Sequence, residues 1–154
     1  RHPLGIAKGV GRLAVELLRS RRDGQGQMKR TYIREFLHAV ELVDRLRDTP
    51  SVRHLHAHYA HGATTVAWFA AQMAGLTFSF TGHAKDLYSD SANPAGVLRR
   101  KLGSARFALT CTEANQHMLQ TLAPASTLAV YAGRSFRFCQ YAPSACEIED
   151  MPNA

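Results

Sequence analysis

The sequence predicts an α/β fold, a doubly wound parallel sheet in one domain. Two features carry this. Residues 54–59 alternate, residues 62–75 form a run of small and apolar residues at helical spacing, and residues 76–81 form a second apolar run, so strand, helix and strand follow one another. The same alternation continues to residue 131, giving β, α, β, α, β, α, β. Short connections and right-handed crossovers then imply parallel strands flanked by helices.

The elements read as follows. Residues 4–20 start Gly-rich and become helical, with Leu13, Leu17 and Leu18 on one side. Gly5, Gly9 and Gly11 resemble a phosphate loop only loosely, because no strand precedes them; a frayed helix start is the expected reading. Arg21–Lys29 is a charged loop. Thr31–Arg47 is an amphipathic helix whose stripe is Ile33, Phe36, Leu37, Val40, Val43 and Leu46.

Val52–Tyr59 is a strand with His54, His56 and His58 on one face and Leu55, Ala57 and Tyr59 on the other. Gly62–Gly75 is a helix that Gly75 stops. Leu76–Thr81 is a strand apolar nearly throughout, as a buried parallel strand requires. Gly82–Asn93 reads as a polar loop ending at Pro94. Ala95–Ser104 is a short basic helix, and Arg106–Thr110 a third strand. Thr112 caps a helix over Glu113–Leu122, and Thr127–Tyr131 is a fourth strand. Residues 1–131 form the domain. Residues 132–154 lack apolar periodicity and are expected to be an irregular tail.

Composition bounds the function. The chain has 154 residues, 45% hydrophobic and 20% charged, enough for one domain with a core. Its net charge of +7 favours anionic partners. Nucleic acid is not expected, because the basic residues are not interleaved with stacking aromatics. Three cysteines, Cys111, Cys139 and Cys146, without CxxC spacing, suit a reducing compartment. No stretch reaches the roughly 18 apolar residues of a membrane span. The expected setting is cytoplasmic, with the inner face of the membrane as a candidate contact. The start at Arg1, without a Met, reads as that of a fragment.

Five of the eight histidines fall between His54 and Tyr88. His56, His58 and His61 nearly fit the HxHxDH zinc pattern of metallo-β-lactamase-like hydrolases, but Ala60 stands where that pattern has Asp. A polar cleft wall or hydrogen-bonded packing is the other reading of these rings. Thr81–Asp86, TGHAKD, leaves the carboxyl end of an apolar strand, where open α/β sheets bind ligands. There His83 offers a base or hydrogen-bond donor, Lys85 a cation, and Asp86 an acceptor for sugar hydroxyls or an orienter for an imidazole. Cys111–His117 is another strand end running into a helix. Its N-terminus is a candidate anion contact or a plain cap. Arg99, Arg100 and Lys101 read as a solvated helix face. No GxSxG elbow supports serine catalysis.

HLHAHYAHGATTVAWFAAQMAG, then FSFTGHAKDLY, then FALTCTEANQHML together resemble the N-terminal half of family-4 glycosyltransferases of the GT-B fold, over about Phe36–Leu122. These are retaining enzymes of polysaccharide and glycolipid synthesis. The resemblance implies a nucleotide-sugar co-substrate, no other cofactor and no metal, and a saccharide or lipid-linked acceptor. It assigns His83 to the active-site histidine, Asp86 to the acid of the same loop, and Glu113 and Asn115 to the cleft lining; Lys85 and His58 join them as substrate-binding candidates. The family's donor-binding domain and its Gly-rich first strand-loop have no counterpart here, and its pattern is lost after Val130. A truncated chain, inactive alone and altered in its tail, is therefore expected. A metallohydrolase built on the histidine cluster and a non-catalytic remnant are the alternatives.

Overall fold

The structure, a computed structural model, describes residues 3–22, 26–90, 93, 95–123, 128–132 and 135–137. Helices α1 (Pro3–Arg22) and α2 (Gly26–Arg45) come first. Strand β1 (His54–His58), helix α3 (Gly62–Ala74) and strand β2 (Thr77–Gly82) follow. Then come α4 (Ala84–Tyr88), α5 (Ala95–Ser104), β3 (Ala108–Thr110), α6 (Glu113–Leu122), β4 (Leu128–Ala132) and β5 (Ser135–Arg137).

The sheet has five strands in the order β1-β2-β3-β4-β5. The first four are parallel, and β5 runs antiparallel to β4. The parallel α/β class expected from the sequence is therefore present. The described strands run in unreversed order, and the core helices pack on one face. There Ala57, Phe78, Phe80 and Ala108 meet Trp68 and Ala71 of α3, Leu98 and Leu102 of α5, and Leu119 of α6. The second helix layer of a doubly wound sheet is not among the described residues.

Helix α3 is apolar nearly all round because it is sandwiched. Ala67, Trp68 and Ala71 face the sheet. Phe69, Ala70 and Met73 face α1 and α2, where Tyr32 and Phe36 meet the Phe69 ring edge-on at 6.4 and 5.6 Å. Gly75, at φ 70°, takes the left-handed conformation that ends the helix without a Cβ penalty.

Several expectations are corrected. The Gly-rich start of α1, expected to fray, is helical from Pro3 onwards. A Cβ on Gly5 would lie 2.1 Å from the Met73 carbonyl oxygen, so Gly5 permits helix-to-helix contact. The charged loop at 21–29 is mostly helix, because α1 runs to Arg22 and α2 begins at Gly26. On α2, Val43 is buried and Phe36 packs against the core as expected, but Tyr32, Glu35 and Ala39 are buried as well, while Ile33, Leu37 and Val40 are exposed. Both stripes satisfy helical spacing, and the position of α3 selects between them. The polar loop after β2 contains α4. The basic run on α5 is not a solvated face: Lys101 is buried, and Arg100 reaches fully buried Glu16 at 2.7 Å. Only Arg99 of the three is exposed. The tail is not wholly irregular, since Ala132 ends β4 and β5 pairs beside it; its remaining residues lie outside those described.

Candidate functional site

The carboxyl ends of β1 and β2 lie side by side, with His58 in register with Thr81. The chain leaves β1 through Tyr59, at φ 74°, a left-handed conformation that a bulky residue adopts at a cost of about 1–3 kcal/mol. The surrounding structure holds it there. The Tyr59 N–H donates to the Thr81 carbonyl at 2.8 Å, and the Thr64 hydroxyl donates to the Tyr59 carbonyl at 2.7 Å. The Ala60 N–H donates to the Asp86 carboxylate. The Asn93 amide and the Lys101 ammonium both donate to the Ala60 carbonyl, at 3.0 and 2.8 Å.

Leaving β2, His83 starts α4. Its backbone N–H donates to Asp86 Oδ1 at 2.9 Å. Asp86, 3% exposed, thereby ties the two strand ends together through one carboxylate. The His83 ring lies 5.5 Å from the Tyr59 ring, and its Nδ1 is 3.9 Å from Cys111 Sγ. The Tyr59 ring stacks on His61 at 5.8 Å. Tyr59, His61, His83, Lys85, Asp86 and Ser89 line a pocket of about 280 Å³.

His83, Lys85 and Asp86 are thus brought together as the sequence suggests, with Asp86 engaged by backbone N–H groups. The other candidates lie apart from this pocket. Glu113 is exposed on the first turn of α6. Asn115 is buried beneath that turn and donates to the Thr110 hydroxyl at 3.0 Å. His58 is exposed on the sheet face opposite the core helices, its ring edge-on to His56 at 5.4 Å.

That face carries a ladder. His54 bonds Thr77 Oγ1 and Ser79 Oγ at 2.7 Å each, and His56 bonds Ser79 Oγ at 2.7 Å and Thr81 Oγ1 at 2.9 Å. Phe107 stacks on His54 and His56. Burial holds both imidazoles below their ordinary pKa; Arg106 adds to this at His54, and the neighbouring His58 and His54 add to it at His56.

The alternative zinc reading of His56, His58 and His61 finds no support in their partners. Both His56 nitrogens are taken by hydroxyls, and His61 Nδ1 accepts from the Gly62 N–H at 2.7 Å, capping α3. Among the described residues no group of three His, Cys, Asp or Glu is placed to hold a metal ion. No described helix is long and apolar enough to cross a membrane.

Sequence reasoning missed Tyr59, His61 and Ser89 as lining residues, and Asn93 and Lys101 as their supports. Tyr59 was expected as the last residue of the strand, which instead ends at His58, and its positive φ was not legible. No family model, curated protein or solved structure matches the chain.

Proposed function

We propose that this chain forms the acceptor-side wall of a retaining glycosyltransferase that moves a sugar from a nucleotide sugar to a saccharide or lipid-linked acceptor. The observation that carries the reading is the pocket at the carboxyl ends of β1 and β2, where His83 and Lys85 stand beside the ring of Tyr59. A tyrosine ring offers an apolar face to a sugar ring, while imidazole and ammonium groups hydrogen-bond its hydroxyls. His83 positions the reacting sugar and stabilises charge that develops on it. Asp86 orients His83 through its backbone N–H rather than meeting hydroxyls itself. Glu113, exposed at the start of α6, and His58, at the end of β1, would meet more distant parts of the acceptor.

The reading includes a doubly wound sheet, in which helices also cover the histidine-bearing face, and a second domain that binds the donor phosphates. It places the protein in the cytoplasm. Ile6, Leu37 and Val40, which are exposed and line one hollow, are the apolar surface for peripheral contact with the membrane that carries a lipid-linked acceptor.

Ligand titration followed by NMR tests the proposal. Saccharides or lipid-linked saccharides are expected to shift the signals of Tyr59, His83 and Lys85, with no nucleotide-sugar turnover by the chain alone. A screen in which no saccharide moves those signals overturns the acceptor reading, and turnover by the chain alone overturns the division of labour.

A further inference from the structure

Lys101, on α5, is 1% exposed, and its ammonium lies beneath the segment that leaves β1. Its Nζ donates to the carbonyls of Ala60 at 2.8 Å and His61 at 3.0 Å, and to Asn93 Oδ1 at 3.1 Å. An ammonium has three N–H donors, and here each has one acceptor. Asn93, also 1% exposed, returns a bond from its amide nitrogen to the Ala60 carbonyl at 3.0 Å.

None of these three acceptors is a carboxylate. The acids that face Lys101 have partners of their own. Glu16 of α1 pairs with Arg12, Arg19 and Arg100. Glu35 of α2 pairs with Arg34. Asp86 of α4 accepts from Ala60 and His83. Arg100, on the same helix, adds a like charge, and the His61 side chain is occupied at the start of α3. Burial outweighs the pull of Glu35, Asp86 and Glu16 and brings the Lys101 ammonium down to about 7.

We propose that Lys101 is the positioning residue of the pocket: its ammonium latches the Tyr59–His61 segment in place, and loss of one proton from Nζ to water loosens that latch. The neutral amine has two N–H groups for three acceptors and turns its lone pair towards a carbonyl oxygen. One of the Ala60, His61 and Asn93 acceptors then loses its lysine donor, and the segment keeps only its other bonds, from the Asn93 amide to the Ala60 carbonyl and from the Thr65 N–H and hydroxyl to the His61 carbonyl. The Tyr59–His61 backbone carries the two stacked rings of the pocket wall, so the proton on Lys101 sets how firmly that wall is held. The latch acts on the pocket itself and does not depend on what binds there.

NMR of the whole 154-residue chain, with lysine labelled at Cε, tests this without any ligand, so its outcome is separate from that of the glycosyl-transfer reading. The Lys101 Cε signal is expected to titrate near 7, and the Ala60 and His61 amides to move with the same midpoint and to exchange faster above it than base catalysis alone accounts for. Lys101→Arg, which stays charged, is expected to abolish the shared step. A Lys101 midpoint at the ordinary 10.5 overturns the proposal. So do loop amides that do not move with the Lys101 Cε signal, a reading the wild-type chain gives even if the variant does not fold.

Discussion

The two faces of the sheet use alternate residues of the same strands and end in opposite states. On one, Ala57, Phe78, Phe80 and Ala108 are sealed under α3, α5 and α6. On the other, His54, His56, Ser79 and Thr81 satisfy each other through hydroxyl–imidazole bonds, with Phe107 stacked against the rings. The first face is held by removal of apolar surface from water, which is insensitive to pH and tolerates no holes. The second is held by directional bonds between neutral groups. Each ladder hydroxyl and each neutral imidazole can donate once and accept in return, so a proton added to either ring turns an acceptor into a donor and breaks the sequence.

The largest expected effect lies on the sealed face. Phe80→Ala empties a fully buried site and should cost about 3–5 kcal/mol in denaturant unfolding. A loss below about 1 kcal/mol would show that this face is less tightly packed than its burial implies. Next is the outer helix layer that backs α3. Gly5→Ala drives a methyl against the Met73 carbonyl and should cost about 1–3 kcal/mol, again by denaturant unfolding. Ser79→Ala, on the ladder face, removes two hydrogen bonds to half-exposed imidazoles that water can resolvate. It should cost about 1 kcal/mol, well short of its neighbour Phe80.

The smallest effect is in pH. Folded His54 and His56 titrate below their ordinary 6.5, so the unfolded chain takes up protons first. Their contribution is fully present above 6.5 and is lost as pH falls through their lower folded values. Melting temperatures measured from pH 7.5 downwards should show this decline, and Ser79→Ala should blunt it. Lys101 adds a second slope of the same sign at higher pH. Its contribution is complete above 10.5 and is lost as pH falls towards about 7. Global stability should therefore rise with pH over the range in which the Ala60–His61 segment loosens, a divergence that melting curves and amide exchange would report together.

The elements with strong local signals were legible. Helix α3, its Gly75 stop, α5 and α6 with its Thr112 cap fall where periodicity and capping residues put them, and the Asn115 N–H does donate to Thr112 Oγ1 at 3.2 Å. Helix α4 was missed because it has only five residues, too few for a periodic signal. The buried side of α2 was misread in part: Phe36 and Val43 lie inward as expected, but helical spacing admits adjacent stripes, and only packing against α3 selects Tyr32 and Ala39 over Ile33, Leu37 and Val40. In the candidate site, His83 and Lys85 were readable from their place after an apolar strand. Asn93 and Lys101 were not, since each is an ordinary polar residue until folding brings it under Ala60, 33 and 41 residues away in sequence respectively.

The sequence by itself determined the α/β class, the strand that carries three histidines on one face, and the placing of TGHAKD at a strand's carboxyl end. These follow from periods of two and 3.6 residues and from capping residues, which act within a few positions along the chain. Only the tertiary structure decided that His56 and His61 are spent on hydroxyls and a helix cap, that Tyr59 takes a left-handed turn, and that a lysine from a helical charge run becomes the buried support of the pocket. Those outcomes depend on which distant backbone groups need a partner once water has been removed, and no local pattern carries that information.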